Sequence, residues 1–189
     1  NNADVSLHLF SVDHANNSLR VDVQWQQSQL EYLTNLQWTR NGLIIALQNR
    51  EQTKLEVCAV DTSTGALSTI RTETDEHWID LVAGSPALLA DGRLAMCCER
   101  NGVRALTVDD QVVTSSDIQV RNIIATTPHA VYFSANPLAD ATVLHVMQCN
   151  LTDLTVSWLT TDTGVHTAAV GGDTVVIRSA TLKDIRSTT

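Results

Sequence analysis

The stretch from Ile44 to Ala66, "IIALQNREQTKLEVCAVDTSTGA", decides how the rest of the chain is read. It takes in most of one apolar run, Leu43 to Leu47, and all of a second, Leu55 to Val60, both of a length and β-branched content that suit strands. A polar turn separates them, and a second turn, "DTSTG" at Asp61 to Gly65, follows. Tight hairpins favour Asn-Gly or Asp-Gly. The first turn is instead written Asn49-Arg50-Glu51-Gln52, with neither Gly nor Pro. That choice implies a segment that does more than reverse the chain.

Working outward, Leu33 to Trp38 precedes these strands and Leu67 to Arg71 follows them, giving a set of four. A second set runs through Pro86 to Leu89, Arg93 to Cys98, Arg104 to Val108 and Val112 to Ser115. A third runs through Val120 to Ala125, Ala130 to Ser134, Val143 to Cys149 and Leu154 to Leu159. One further pair lies at each end: Val5 to Val12 with Leu19 to Val23, and His166 to Val170 with Thr174 to Arg178. Helical periodicity is almost absent. Four consecutive antiparallel strands recurring along a chain are the signature of propeller blades, because one such sheet cannot cover both of its faces alone. A β-sandwich would also give short strands and frequent turns, but not the grouping in fours. The expected fold is therefore all-β: a β-propeller fragment with about three full blades and two half-blades. Residues 1–189 then form part of a single propeller domain. The two half-blades would complete one another, within one chain or between two copies, and the second case makes a homodimer through exposed blade edges.

With 189 residues, 43% hydrophobic and 17% charged, the chain can bury a sizeable core. A net charge of -9 argues against nucleic acid or an anionic membrane as a partner, since both need a basic face. No apolar run is long enough for a membrane segment. The opening "NNADVSLHLF" shows no signal-peptide pattern. Cys58, Cys97, Cys98 and Cys149 form no C-x-x-C pair, which makes them buried thiols rather than metal ligands or a disulfide framework. Both observations favour the cytoplasm but leave the compartment unknown. No cofactor and no metal is expected, because His8, His14, His77, His129, His145 and His166 are scattered without ligand spacing. The sequons at Asn16 to Ser18 and Asn150 to Thr152 read as chance matches in such a chain.

In order along the chain stand Trp38, the "NRxQ" turn of Asn49, Arg50 and Gln52, the "DxxTG" of Asp61 to Gly65, and Glu76 and Trp78 followed by Asp80. After them comes "PALLADGRLAMCCERNGVRAL". This series resembles the N-terminal propeller of the dipeptidyl peptidase IV family, in the prolyl oligopeptidase clan. The resemblance is densest from Tyr32 to Leu106. It implies a parent serine exopeptidase that releases dipeptides from peptide amino termini, with its Ser-Asp-His triad in a C-terminal α/β-hydrolase domain. That hydrolase domain and peptide substrates are the implied partners. The G-x-S-x-G nucleophile elbow of such a domain is absent from this chain, since "AGSPA" at Ala83 to Ala87 has Ala where the last Gly belongs. The chain alone is therefore expected to be non-catalytic, with no catalytic residue of its own.

Within that frame Trp38, Asn49, Arg50, Gln52 and Trp78 are structural motif residues. Arg50 is expected to clamp neighbouring loops through its guanidinium. The two tryptophans are expected to be buried as wedge fillers between sheets. By resemblance, Val82, Ala83 and Gly84 enter the substrate cavity, where their small apolar side chains leave a roomy wall. Glu76 to Asp80 is the densest polar cluster. His77 and Asp80 could be a base and its orienter, but no nucleophile accompanies them, and a blade-connecting loop is the preferred reading. A stand-alone propeller that docks other proteins is the alternative function.

Overall fold

The computed structural model describes residues 5–12 and 20–182. His14, the start of the expected strand at Leu19, and the sequon at Asn16 to Ser18 lie outside them. All regular elements among the described residues are strands. They divide into two compact units, 1–80 and 81–189.

In the first unit, β1 (His8–Phe10) and β2 (Arg20–Asp22) form an antiparallel hairpin. It is followed by β3 (Tyr32–Thr39), β4 (Gly42–Gln48), β5 (Lys54–Val60) and β6 (Leu67–Thr74), which pair in sequence order into one antiparallel sheet. β4 is buried on both faces, as its unbroken apolar run requires. Leu43, Ile45 and Leu47 point to one side with Cys58 and Val60 opposite them, and this face packs against Val23, Leu30 and the hairpin residues Leu7 and Leu9. Trp25 joins the same core, and its indole N–H donates to the Leu30 carbonyl at 3.1 Å.

The second unit holds two more sheets of four. One is β7 (Ala87–Leu88), β8 (Leu94–Arg100), β9 (Val103–Val108) and β10 (Gln111–Val112). The other is β11 (Ile118–Thr126), β12 (Ala130–Pro137), β13 (His145–Asn150) and β14 (Val156–Trp158). The hairpin β15 (Val165–Gly171) and β16 (Thr174–Ala180) ends the described chain. The two sheets share one core in which Leu89, Leu106, Val120, Val131, Phe133 and Met147 are almost wholly buried. Arg93 ties them from outside the core: it pairs with Asp91 at 2.7 Å and donates to the Leu151 carbonyl at 2.6 Å. The four cysteines are free and buried. Burial holds the Cys97 thiol up to about 12, which makes it inert at neutral pH.

Three sheets of four and two hairpins match the blades and half-blades read from the sequence. The strand bounds differ most at β1 and β10, which are three and two residues long because turns and loop anchors take the rest.

The expected burial of Trp38 and Trp78 is overturned. They are 62% and 65% exposed. Within the second unit the space between adjacent sheets is filled by Phe133, Leu106 and Met147 instead. Trp38 sits near the end of the edge strand β3, opposite Leu43, where no further strand of its sheet covers it. Its ring lines a groove of about 570 Å³ with His8, Leu9, Phe10 and Val21. Trp78 belongs to a loop that is held by its backbone, which leaves the ring outside.

Candidate functional site: two anchored loops

The strands of the first blade place three segments at one end of its sheet. These are Glu31 before β3, the turn Asn49 to Thr53 after β4, and the segment Asp75 to Ile79 after β6. The turn is built on a side chain. Asn49 Oδ1 accepts the backbone N–H groups of Thr53 at 2.9 Å and Lys54 at 2.8 Å. Its Nδ2 donates to Thr53 Oγ1 at 3.0 Å and to Glu51 Oε2 at 3.2 Å. Gln52 takes the left-handed φ of 60° that a glycine would ordinarily occupy. The Asn49 carboxamide does the work of Asn-Gly chemistry by closing the turn from inside.

This turn carries the exit loop. Gln52 gives its carbonyl to the Ile79 N–H at 2.6 Å, and Thr53 gives its carbonyl to the Asp75 N–H at 2.9 Å. Gln48, 2% exposed, donates its Nε2 to the Ile79 carbonyl at 3.1 Å. Ile79 is therefore gripped at both its N–H and its carbonyl, and the preceding residues Glu76, His77 and Trp78 are pushed to the surface. The expectation for Arg50 is corrected as well: the clamp is Asn49. Arg50 contributes its backbone N–H to Glu31 Oε2 at 3.0 Å, while its side chain is exposed. Arginine offers more donors, but Asn reaches its own backbone two to five residues on, which a long side chain does poorly.

His77 does not meet Asp80 as a base meets its orienter. Its Nδ1 lies 3.8 Å from Asp75 Oδ1, and the ring is 87% exposed. A different Ser-His-Asp chain exists on the first hairpin, which sequence reading missed. Ser6 Oγ is 2.8 Å from His8 Nε2, and His8 Nδ1 is 2.8 Å from Asp22 Oδ1. Arg20 Nε shares that same carboxylate oxygen at 2.6 Å, and Asp22 is 61% exposed. Arg20, with His8 second, holds the Asp22 carboxyl below its ordinary value. A triad needs a buried orienter dedicated to its histidine and donors aimed at an oxyanion. This set is a solvated ion-pair network on a hairpin surface.

In the second unit, residues 82–85 form a loop locked to the third blade. Ile123 N–H donates to the Ala83 carbonyl at 3.0 Å, and Ser85 N–H donates to the Val82 carbonyl at 3.0 Å. Gly84 has a φ of 77°, and a Cβ there would stand 2.1 Å from the Ile123 carbonyl oxygen. Only glycine allows this approach. Ser85 Oγ accepts the Cys97 N–H at 2.9 Å, so the loop is tied to the second blade too. Val82 turns into the core, which leaves Ala83 and Gly84 as the exposed pair. The structure brings Asn49, Gln52 and Ile79 together in the first unit and Val82, Ala83 and Gly84 with Ile123 in the second.

Successive four-stranded antiparallel sheets, two of them sharing one core in the second unit, define a segment of a β-propeller. The Dipeptidyl peptidase IV (DPP IV) N-terminal region model matches residues 1–179, and the chain belongs to that family. Two solved structures show the same fold. Porphyromonas gingivalis dipeptidyl peptidase 4 superposes with a TM-score of 0.72 at 16% identity, covering 96% of this chain and 28% of that one. A putative dipeptidyl aminopeptidase IV from Bacteroides ovatus ATCC 8483 superposes with a TM-score of 0.61 at 14% identity, covering 82% of this chain and 28% of that one. The chain thus spans little more than a quarter of the length of these structures. No curated protein matches it.

Proposed function

We propose that this chain is a non-catalytic propeller segment of a dipeptidyl peptidase IV-like serine exopeptidase. The parent releases dipeptides from peptide amino termini through a C-terminal α/β-hydrolase domain. The propeller admits unstructured peptide ends and shapes the cavity in which they are cut. The observation that carries this reading is the family match over residues 1–179. The anchored loops suit the role. A cavity wall must hold its shape while exposing small groups, and Ala83 and Gly84 are exposed on a backbone fixed at Ile123. Trp78, two-thirds exposed and preceded by Glu76 and His77, is the kind of amphipathic aromatic that interfaces use.

The test starts from the parent coding sequence beyond position 189. It should encode a G-x-S-x-G elbow with Asp and His downstream. The expressed parent should then release p-nitroaniline from Gly-Pro-p-nitroanilide, while the 189-residue chain shows none. Replacing Ala83 with Trp in the parent should raise KM with little change in kcat, because it narrows the wall without touching the triad. A parent without an elbow, or without turnover, would sink the peptidase reading and leave a stand-alone docking propeller.

A further inference from the structure

Two histidines that the proposed function does not use are stacked inside the second unit. His145 opens β13 and His166 lies on β15. Their ring centroids are 5.5 Å apart and their planes 16° from parallel. Both residues are buried, at 7% and 3% exposure. Trp158 of β14 covers His145 edge-on at 5.1 Å. His145 Nδ1 lies 3.2 Å from Thr160 Oγ1. His166 Nε2 lies 2.9 Å from the Asp162 backbone carbonyl, and its Nδ1 lies 2.7 Å from Ser179 Oγ. A carbonyl only accepts, so Nε2 carries the proton of neutral His166 and Nδ1 accepts from Ser179. The neutral ring is fully satisfied.

The stack stands at the joint between the third blade and the last hairpin. Leu144 N–H donates to the Gly164 carbonyl at 3.0 Å, and His166 N–H donates to the Leu144 carbonyl at 2.8 Å. These two bonds form a single parallel bridge between Leu144 and Val165. β15 also packs against β11. Among the described residues, the ionisable groups of the surrounding elements offer the rings no carboxylate partner. Arg121 of β11 donates to Asn136, and Arg178 of β16 lies in register with Thr167. Asp140, ahead of β13, is bonded to Thr142, and Asp162 meets the stack through its backbone.

We propose that the stacked His145–His166 pair is a pH-sensitive latch, which holds the hairpin β15–β16 to the third blade when both rings are neutral and releases it in mild acid. A charge on either ring is buried without a counter-ion, and charges on both are 5.5 Å apart. Burial, then the neighbouring His166, keeps His145 below the ordinary histidine value. The sign follows. Above about pH 6.5, the ordinary histidine value, His145 is neutral in both the closed and the open hairpin, and the latch is at full strength. As the pH falls through that value His145 takes up a proton more readily in the open form, so closure weakens.

Amide hydrogen exchange on the full 189-residue chain tests this, at pH 7.5 and pH 5.5 with rates corrected for intrinsic pH dependence. Protection of residues 165–180 should fall about threefold or more relative to β8 and β9, given that each unit of pKa difference is worth about tenfold. His145→Gln and His166→Gln retain a side-chain amide but no charge; each should shrink the difference, and the double variant should abolish it. His129→Gln, at an exposed turn, should leave it intact. Should the latch variants fail to fold, an NMR titration of the wild-type chain decides. The hairpin amides should shift or broaden together with the His145 ring. Equal protection at the two pH values, a fall that persists undiminished in the double variant, or hairpin amides indifferent to the His145 titration would each overturn the latch.

Discussion

The first blade turns its chain in two ways at opposite ends of the same strand, β5. Before β5, the turn Asn49 to Thr53 is closed by the Asn49 carboxamide and contains no glycine. After β5, the turn Asp61 to Gly65 is closed by Asp61, which accepts from Ser63 N–H at 2.8 Å and Ser63 Oγ at 2.6 Å, and it ends on a glycine. The neighbours explain the difference. The first turn receives a loop through its own carbonyls, at ordinary hydrogen-bond distance. The second receives the backbone of the hairpin β1–β2: Gln24 N–H donates to the Gly65 carbonyl at 2.8 Å, and a Cβ on Gly65 would stand 2.0 Å from the Asp22 carbonyl oxygen. Glycine is demanded where another backbone passes the Cα itself. A side-chain clamp suffices where the partner bonds to exposed carbonyls.

The largest break should come from Gly65→Ala. The φ of 76° and the clash with a backbone oxygen should together cost about 2–4 kcal/mol. Gly42→Ala is the control, because nothing lies within 4 Å of its Cβ and only the φ of 116° is penalised, for about 1–2 kcal/mol. Urea unfolding of both variants reads the gap, and equal costs would show that the close approach at Asp22 does not constrain folding. Asn49→Ala should cost about 1–2 kcal/mol by leaving the Thr53 and Lys54 N–H groups without their acceptor. It should also loosen residues 75–79, seen as faster exchange of the Ile79 amide.

Trp78→Ala should change stability by less than about 0.5 kcal/mol, since the ring is mostly in solvent and the loop is held at Ile79. A cost of about 3 kcal/mol would return it to the core. The smallest effect separates the two clamps by acid. Hydrogen bonds from Ser63, side chain first and backbone second, hold the Asp61 carboxyl below its ordinary 3.8. A lowered carboxylate stabilises the turn above 3.8 and loses that contribution as the pH falls through its folded value. The Ser63 and Thr64 amides should therefore titrate with a midpoint below 3.8. Thr53 and Lys54, bonded to a neutral carboxamide, should show no such step, and Asp61→Asn should remove it from the first pair.

Much of this was legible in the chain. Strand grouping, turn positions and free buried cysteines are local properties, set by apolar alternation and by which residues cannot continue a strand. The run Leu43 to Leu47 reads as a strand, and β4 spans it; its burial on both faces came with the packing. Resemblance placed the family from Trp38, the Asn49-Arg50 turn and Trp78 without knowing what each side chain does. Two kinds of fact waited for the tertiary structure. One is which large residue fills a core: Phe133 and Trp25 do and Trp38 and Trp78 do not, because burial depends on what stands opposite, not on size or position in a motif. The other is any contact between residues far apart in the chain, such as Gly84 against Ile123, Gln48 against Ile79, or His145 stacked on His166. Strand propensity is written residue by residue. The meeting of two strands' ends is decided only when the sheets pack, and both candidate loops and the histidine stack exist only there.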